Sequence, residues 1–138
     1  MKKYIASKKI PDRFSTLNTG QLGELIFKQW FVQNFQGESI KKSSAEADYN
    51  GIDFSDEKGY TYQIKATRRK TYTFNCIIDD FKEHLKADLY VFIQIHEKYA
   101  YIESLYNKNE ILNLARQSFK EQKSCFVYAK DLLQQKLF

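Results

Sequence analysis

Two β-forming runs joined by a short turn constrain this sequence more than any other feature. Residues 60–67 are rich in aromatic and β-branched side chains, and residues 51–54 before them alternate between apolar and polar. Between the runs, Glu57-Lys58-Gly59 predicts a three-residue hairpin loop with Gly59 in the left-handed conformation. The chain must therefore build its sheet around an antiparallel hairpin.

This loop predicts which side chains share a face of the hairpin. If Asp56 pairs with Tyr60, Asp53 lies opposite Gln63, and Lys65 falls on the same face two residues further along. The other face is mostly apolar and suited to packing on a helix; it carries Ile52, Phe54, Tyr62, Ile64 and Ala66. The pattern thus predicts a carboxylate, an amide and an ammonium side by side on one face.

The rest of the chain predicts helices on both sides of a mixed sheet. A helix capped by Asn18 or Thr19 runs to about Phe35 and is ended by Gly37. A short strand is expected at 38–43, a turn at 48–51, strands at 88–95, 99–104 and 125–128, and helices at 75–86, 109–119 and 131–137. The predicted fold class is α/β (α+β), with a central mixed β-sheet flanked by helices.

Length and composition fit one globular domain. The chain has 138 residues, of which 43% are hydrophobic and 28% charged, which argues against a disordered chain. No apolar run approaches the length of a membrane span, and the N-terminus lacks a secretory signal, so a cytoplasmic location is expected. Cys76 and Cys125 lie far apart without metal-ligand spacing, and two reduced thiols are favoured over a zinc site or a disulfide.

The positive charge is concentrated in two segments. Residues 1–13 contain five basic residues against one acidic residue, and residues 58–70 contain five basic residues and no acid, within a net charge of +5. Clustered cations are typical of proteins that bind a polyanion, although two solvated surface segments would look the same. The candidate phosphate contacts are Lys2, Lys3, Lys8, Lys9, Arg68, Arg69 and Lys70. Residues 1–14 are expected to form a basic arm, and residues 15–138 a single domain.

The polar face of the hairpin has the chemistry of a Mg²⁺ (or Mn²⁺) site. A hard cation prefers oxygen ligands, which Asp53, the amide of Gln63 and the backbone carbonyl of Ile64 can supply. Beside it, Lys65 can orient a water and stabilise charge developing on a phosphate. A weak cross-strand ion pair between Asp53 and Lys65 is the alternative.

The first helix offers a second carboxylate. Glu24 follows Gly20 and Gly23, and two helical glycines beside an acid suggest a close approach to the sheet or to a substrate. Glu24 is therefore a candidate metal ligand, although a glutamate in the first turn is also favoured by the helix dipole. Asp48 is a weaker candidate because its surroundings form a good turn sequence.

Together these residues resemble the PD-(D/E)xK nuclease superfamily, which has the restriction-endonuclease-like fold. Glu24, Gly51-Ile52-Asp53 and Gln63-Ile64-Lys65 are similar to the helix glutamate, hairpin aspartate and acid-or-Gln-x-Lys signature of its Mrr-type, homing and resolvase-like branches. The resemblance implies that Glu24 and Asp53 bind the metal, that Lys65 is the catalytic lysine and that Gln63 replaces the usual acid. The proline that often precedes the aspartate is missing.

The expected function is metal-dependent endonucleolytic hydrolysis of DNA, of a homing, restriction or junction-resolving kind. Because one such site cuts one strand, a homodimer or higher assembly is expected. Two alternatives stay open: a non-catalytic nucleic-acid-binding or assembly module on the same fold, and a protein-interaction domain. Tyr60, Tyr62 and Tyr72 could stack on unpaired bases, although packing in the sheet is the default for such residues. His84 is expected at the surface, and His96 at the end of a strand, where a turn follows.

Overall fold

The computed structural model describes residues 6–44, 51–117 and 124–132. Its main sheet has six strands in the order β1-β7-β6-β4-β3-β2, in which β4 and β6 are parallel and the other neighbours antiparallel. The bounds are β1 Ala6–Lys9, β2 Ile40–Lys42, β3 Phe54–Asp56, β4 Thr61–Thr67, β6 Leu89–His96 and β7 Tyr99–Asn107. The predicted class, a mixed sheet flanked by helices, is confirmed.

A second, smaller sheet lies over one face of the main sheet. It has the strand order β5-β9-β8, with β5 Thr71–Phe74, β8 Arg116–Gln117 and β9 Cys125–Tyr128. The α-helices are α1 Thr19–Asn34, α2 Phe81–His84, α3 Lys108–Leu114 and α4 Ala129–Leu132, and short 3-10 helices span Asp12–Phe14 and Ile78–Asp80. None of the helices among the described residues has the length and apolar character needed to cross a membrane.

The two faces of the main sheet bury separate cores. One core packs α1 against the sheet, and its buried members include Ile26, Phe27, Trp30, Val91 and Ile93. The other lies between the main sheet and the small sheet, and includes Tyr72, Phe74, Phe81, Tyr90 and Phe92. Alternation along β6 produces this division because successive residues of a strand point to opposite faces.

Helix α1 is held by its cap and by a close approach to β4. The Asn18 side chain accepts from the backbone N–H of Gln21, and the Gln21 side chain accepts from the N–H of Asn18, which is a capping box. A Cβ atom on Gly23 would lie 2.5 Å from that of Ala66, so only glycine lets the helix lie this close to the strand. The expected close approach is thus confirmed for Gly23, whereas Gly20 faces nothing nearer than 3.5 Å.

Several predicted elements differ from those observed. The segment expected to be a basic arm contains an edge strand from residue 6 and a buried Ile10, because its extended chain pairs with β7. The helix expected at 75–86 is only a 3-10 turn followed by α2, because Ile77 and Leu85 on either side of them have extended backbone. The helix expected at 109–119 ends at Leu114. Of the helix expected at 131–137, only residues 131–132 are described, and they lie in α4.

Residues 1–5, 45–50, 118–123 and 133–138 lie outside the described residues. The candidate phosphate contacts Lys2 and Lys3, the candidate ligand Asp48 and most of the turn predicted at 48–51 fall there. Gly51, at the end of that turn, has φ +86°, a left-handed conformation that favours glycine.

Candidate active site

The hairpin forms in the predicted register. Phe54 pairs with Tyr62 and Ser55 with Thr61, and the N–H of Asp56 donates to the carbonyl of Tyr60 over 2.9 Å. Gly59 has φ +92°, the left-handed conformation expected there. Its N–H closes the loop by donating to the Asp56 carbonyl. The local sequence was therefore sufficient to predict how these two strands pair.

At Asp53 the simple register breaks down. The Asp53 N–H donates to the carbonyl of Tyr62, which already pairs with Phe54, over 2.8 Å. Two consecutive residues of one strand thus face one residue of the other, the arrangement of a β-bulge. The Asp53 carbonyl accepts on the opposite side, from the N–H of Ser43 over 2.9 Å. The bulge turns the chain, and Ile52, expected on the α1 face, packs instead against the core under the small sheet.

The bulge aims the Asp53 carboxylate at the backbone of β4. Oδ2 of Asp53 accepts the N–H of Ile64 over 2.7 Å, in place of the backbone carbonyl that regular pairing would supply. Because the N–H and C=O of one residue in a strand point to the same side, the Ile64 carbonyl also points toward β3. Asp53 is therefore not directly opposite Gln63, as simple alternation predicted, but beside the Ile64 backbone.

Lys65 lies on the face of β4 that the small sheet covers. Its Nζ donates to the Thr73 carbonyl over 3.2 Å and sits 4.4 Å from the centre of the Phe74 ring. Burial lowers the pKa of Lys65 below its usual value of 10.5, and the nearby negative charge of Asp53 opposes that shift. Asp53 and Lys65 thus lie close enough for their charges to act on each other.

Gln63 lies against the turn that precedes the bulge. A Cβ atom on Gly51 would lie 3.5 Å from Nε2 and 3.6 Å from Oε1 of the Gln63 side chain. The amide is therefore next to the segment that leads into Asp53, and its side chain is partly buried.

Glu24 has a partner other than the one expected. Its carboxylate forms an ion pair with the ammonium of Lys42, which also lies 5.3 Å from the centre of the Phe54 ring. Lys42 is opposite Phe54 across β2 and β3, on the face that α1 covers. As a metal ligand Glu24 would have to exchange Lys42 for the metal, so its predicted role stays a prediction.

The surroundings of Lys65 differ from those predicted, because a strand that was not expected covers it. The lysine is enclosed by Thr73 and Phe74 because β5 turns back over the sheet, and the alternation of Thr71-Tyr72-Thr73-Phe74 is the signal that would have identified that strand. His84 also lies nearby: burial, and after it the charges of Lys65 and Lys86, lower its pKa below 6.5. His84 is exposed, as expected, but it stands close to the candidate site.

The candidate nucleic-acid contacts divide by position. Arg68, Arg69 and Lys70 are exposed in the turn after β4, a few residues beyond Lys65. Lys9 is exposed on the edge strand β1, and Lys8 lies in that strand.

Two of the three tyrosines considered for base stacking are unsuitable. Tyr62 and Tyr72 are buried, and their hydroxyls donate to Asp56 and Glu103 over 2.8 and 2.9 Å. Packing in the sheet, the default expectation, is correct for both. Tyr60 is 54% exposed and is the one member of the three with a free face.

The donor set fits a hard cation held in part by its own waters. Within the ranges that the structure describes, no cluster of three or more His, Cys, Asp or Glu side chains is suited to hold a metal. Mg²⁺ typically needs only one or two carboxylates, with waters and substrate phosphate completing its six positions. Asp53 and the Ile64 carbonyl, two oxygen donors on one side of β4, meet that requirement.

Comparison with known proteins does not assign a function to these residues. No protein-family model matches the chain, and no curated protein sequence is significantly similar to it. The residues of the site therefore carry the functional conclusion.

Proposed function

We propose that this protein is a divalent-metal-dependent endonuclease that hydrolyses DNA phosphodiester bonds, with a PD-(D/E)xK-like site. One observation supports this above the others. A β-bulge brings the Asp53 carboxylate to the Ile64 backbone, within electrostatic range of a lysine that the small sheet desolvates. Bulges that aim a side chain and lysines with a lowered pKa are both typical of functional sites.

In this proposal Asp53 and the Ile64 carbonyl would hold Mg²⁺ or Mn²⁺. When bound, such an ion polarises a phosphoryl oxygen and lowers the pKa of a bound water. The hydrogen bond from Ile64 to Oδ2 fixes the carboxylate in advance, so that little reorganisation is needed on binding. Glu24 is the candidate for a further carboxylate if Lys42 releases it.

Lys65 supplies positive charge where the phosphate would gain negative charge. Its ammonium is partly removed from water, and an electrostatic interaction is stronger in such surroundings than in bulk solvent. It also orients the attacking water in this proposal. The Gln63 amide forms a hydrogen bond with that water, either accepting through its oxygen or donating through its nitrogen. Neither role requires Lys65 to lose its proton.

The exposed cations after β4 would bind the backbone of the nucleic acid. Arg68, Arg69 and Lys70 follow Lys65 along the same strand and turn, so phosphates next to a cleaved bond lie within their reach. A single site of this kind cuts one strand, and we propose a homodimer or higher assembly acting in the cytoplasm for cutting both.

A second candidate is a nucleic-acid-binding module without catalysis. It is favoured by the ion pair between Glu24 and Lys42 and by the neutral Gln63, since both reduce the negative charge available to a cation. The two candidates differ in what Asp53 does. Catalysis requires its charge, whereas binding alone does not.

The test is cleavage of supercoiled, branched and single-stranded DNA by wild type, Asp53→Asn and Lys65→Met, with Mg²⁺, Mn²⁺ or EDTA. An asparagine oxygen can still accept from the Ile64 N–H, so the hairpin should stay folded. We expect metal-dependent cleavage that falls about 10²–10³-fold in each variant, the usual cost of losing one electrostatic contact to the transition state.

Two exposed residues outside the site serve as matched controls. Asp12→Asn and Lys28→Ala remove the same kinds of charge from the surface, and both should cleave like wild type. If no substrate is cut, or if Asp53→Asn cleaves as fast as Asp12→Asn, the catalytic proposal is wrong. Unchanged DNA affinity in Asp53→Asn would then favour the binding module.

A further inference from the structure

A cleft of about 730 Å³ opens between the end of the main sheet and the small sheet. Residues from the turn after β4, from β6 and β7 and from the junction of β9 with α4 form its walls. Three of its residues are cationic, two are tyrosines and one is a glutamine: Arg69, Lys70, Lys130, Tyr101, Tyr128 and Gln94. Its volume lies in the range of small-molecule sites, roughly 300–1,000 Å³.

The cations of this cleft are not neutralised within the described part of the chain. Arg69, Lys70 and Lys130 are exposed, none of them appears in an ion pair there, and no acidic residue lines the cleft. The turn that carries two of them is fixed, since the N–H of Ala129 donates to the Lys70 carbonyl over 2.8 Å. A positively charged cleft with fixed walls suits an anionic ligand.

Gln94 presents an unused acceptor in this cleft. Its Nε2 donates to the Arg69 carbonyl over 3.0 Å, and because that carbonyl can only accept, the amide nitrogen must face it. The oxygen Oε1 is then buried without a hydrogen-bond partner among the described residues. A buried acceptor without a donor costs free energy, and a ligand with an N–H group would remove that cost.

The two tyrosines give the cleft aromatic surface. Tyr128 has the Lys130 ammonium 5.0 Å from its ring centre, and Tyr101 stacks on Tyr99 with 6.4 Å between ring centres. Aromatic rings beside cations are the usual means of holding a base next to its phosphate. An acidic peptide would use the cations, and one of its backbone N–H groups could reach the Gln94 acceptor, but its carboxylate side chains would leave the two rings without a stacking partner.

We infer that this cleft binds one unpaired nucleotide of the nucleic acid, with its phosphate on the cations, its base on the tyrosines and a base N–H on Gln94. The inference rests on the proposed function for the identity of the polymer. Gln94 pairs with Thr67 on β4, the same strand that carries Lys65. Four residues separate Lys65 from Arg69, and a chain of that length spans at most about 13 Å, so one strand of nucleic acid can reach both. Branched or single-stranded DNA is then the preferred substrate class.

The test measures binding of small probes to the full-length protein by calorimetry in EDTA, where no cleavage occurs. The probes are deoxyadenosine 5′-monophosphate, deoxyribose 5-phosphate and inorganic phosphate. We expect the nucleotide to bind about five- to 150-fold more tightly than the two probes without a base, as stacking of one base is worth roughly 1–3 kcal/mol. Asp53→Asn should bind all three like wild type, which separates this inference from the catalytic proposal.

Three variants identify the groups that bind. Gln94→Leu should weaken binding of the nucleotide about two- to tenfold more than binding of inorganic phosphate. Both probes are affected by loss of the hydrogen bond from Nε2 to the Arg69 carbonyl, but only the nucleotide also loses a hydrogen bond to its base. Lys130→Ala, an exposed change that leaves the fold intact, should weaken binding of all three probes. Lys28→Ala should leave binding of all three unchanged. Equal affinity for the three probes, absence of binding, or equally tight binding of a tetraglutamate peptide would each overturn the inference.

Discussion

At the scale of single residues, the partly desolvated ammonium of Lys65 lowers the stability of the fold, although the proposed chemistry requires it. Burial lowers the pKa of Lys65, and its ammonium contacts the Thr73 carbonyl and the ring of Phe74. A carbonyl and a ring replace only part of the hydration that an ammonium loses. A residue that costs stability where it stands is the kind of exception found at functional sites.

Lys65→Met is therefore expected to raise the free energy of unfolding by about 1 kcal/mol at pH 7 while lowering the rate of cleavage about 10²–10³-fold. In wild type the full penalty applies below the folded-state pKa of Lys65, and no penalty remains above 10.5. Between these two values the unfolded chain binds more protons than the folded chain, so the stability of wild type rises with pH. The advantage of the variant should thus shrink as pH rises. Urea unfolding at pH 7 and pH 9.5 measures both effects, and a variant less stable than wild type at pH 7 would contradict them.

At the scale of elements, the contact between α1 and β4 positions the first helix. The contact depends on Gly23, whose missing side chain lets the helix lie against Ala66. The same packing sets Glu24, the next residue, beside Lys42 on β2. Close helix packing and the ion pair of Glu24 are therefore consequences of one glycine.

Two glycine substitutions on α1 test this contact, and each serves as the control for the other. Gly23→Ala should destabilise the protein by about 1–3 kcal/mol, because its Cβ would overlap that of Ala66 at 2.5 Å. Gly20→Ala should stabilise it by about 0.5–1 kcal/mol, because nothing obstructs its Cβ and alanine favours the helix. Chemical denaturation distinguishes the two, and equal effects would show that α1 does not depend on the close approach. Ala66→Gly should restore part of the stability lost in Gly23→Ala.

At the scale of the whole molecule, the small sheet creates both candidate sites. It covers Lys65 from one side and forms a wall of the basic cleft with Tyr128 and the adjoining Lys130. The turn that connects the two sheets carries Arg68, Arg69 and Lys70. The exposed cations, the cover over Lys65 and the cleft therefore all lie where the chain passes from the main sheet to the small sheet.

This arrangement predicts a localised salt dependence of DNA binding. Each cation that neutralises a phosphate of duplex DNA contributes about 0.9 to the slope of log affinity against log salt concentration. Arg68→Ala should reduce the steepness of that slope by about one, whereas Lys28→Ala on α1 should leave it unchanged. Fluorescence anisotropy between 50 and 200 mM salt measures the slopes. A slope that is shallow in wild type, or reduced equally by both variants, would favour the protein-interaction domain.

Local patterns in the sequence were enough to predict the hairpin, its register and the first helix. The loop with Gly59 and the alternation of residues 60–67 determine the pairing of β3 with β4, because both depend on neighbours a few residues apart. Asn18 and Gln21 likewise form the cap of α1 within one turn. These features specify the hairpin and the strand on which Lys65 stands.

Only the tertiary structure decided what surrounds those residues. The bulge at Asp53 arises where β2, β3 and β4 meet, and Glu24 meets Lys42 because α1 packs across the sheet. The cover over Lys65 and the cleft around Gln94 come from β5 and β9, which are more than 50 residues apart in the chain. Such contacts are set by packing between distant segments, and no local pattern encodes them. The sequence alone therefore determined which groups are available, and the packing determined which of them meet.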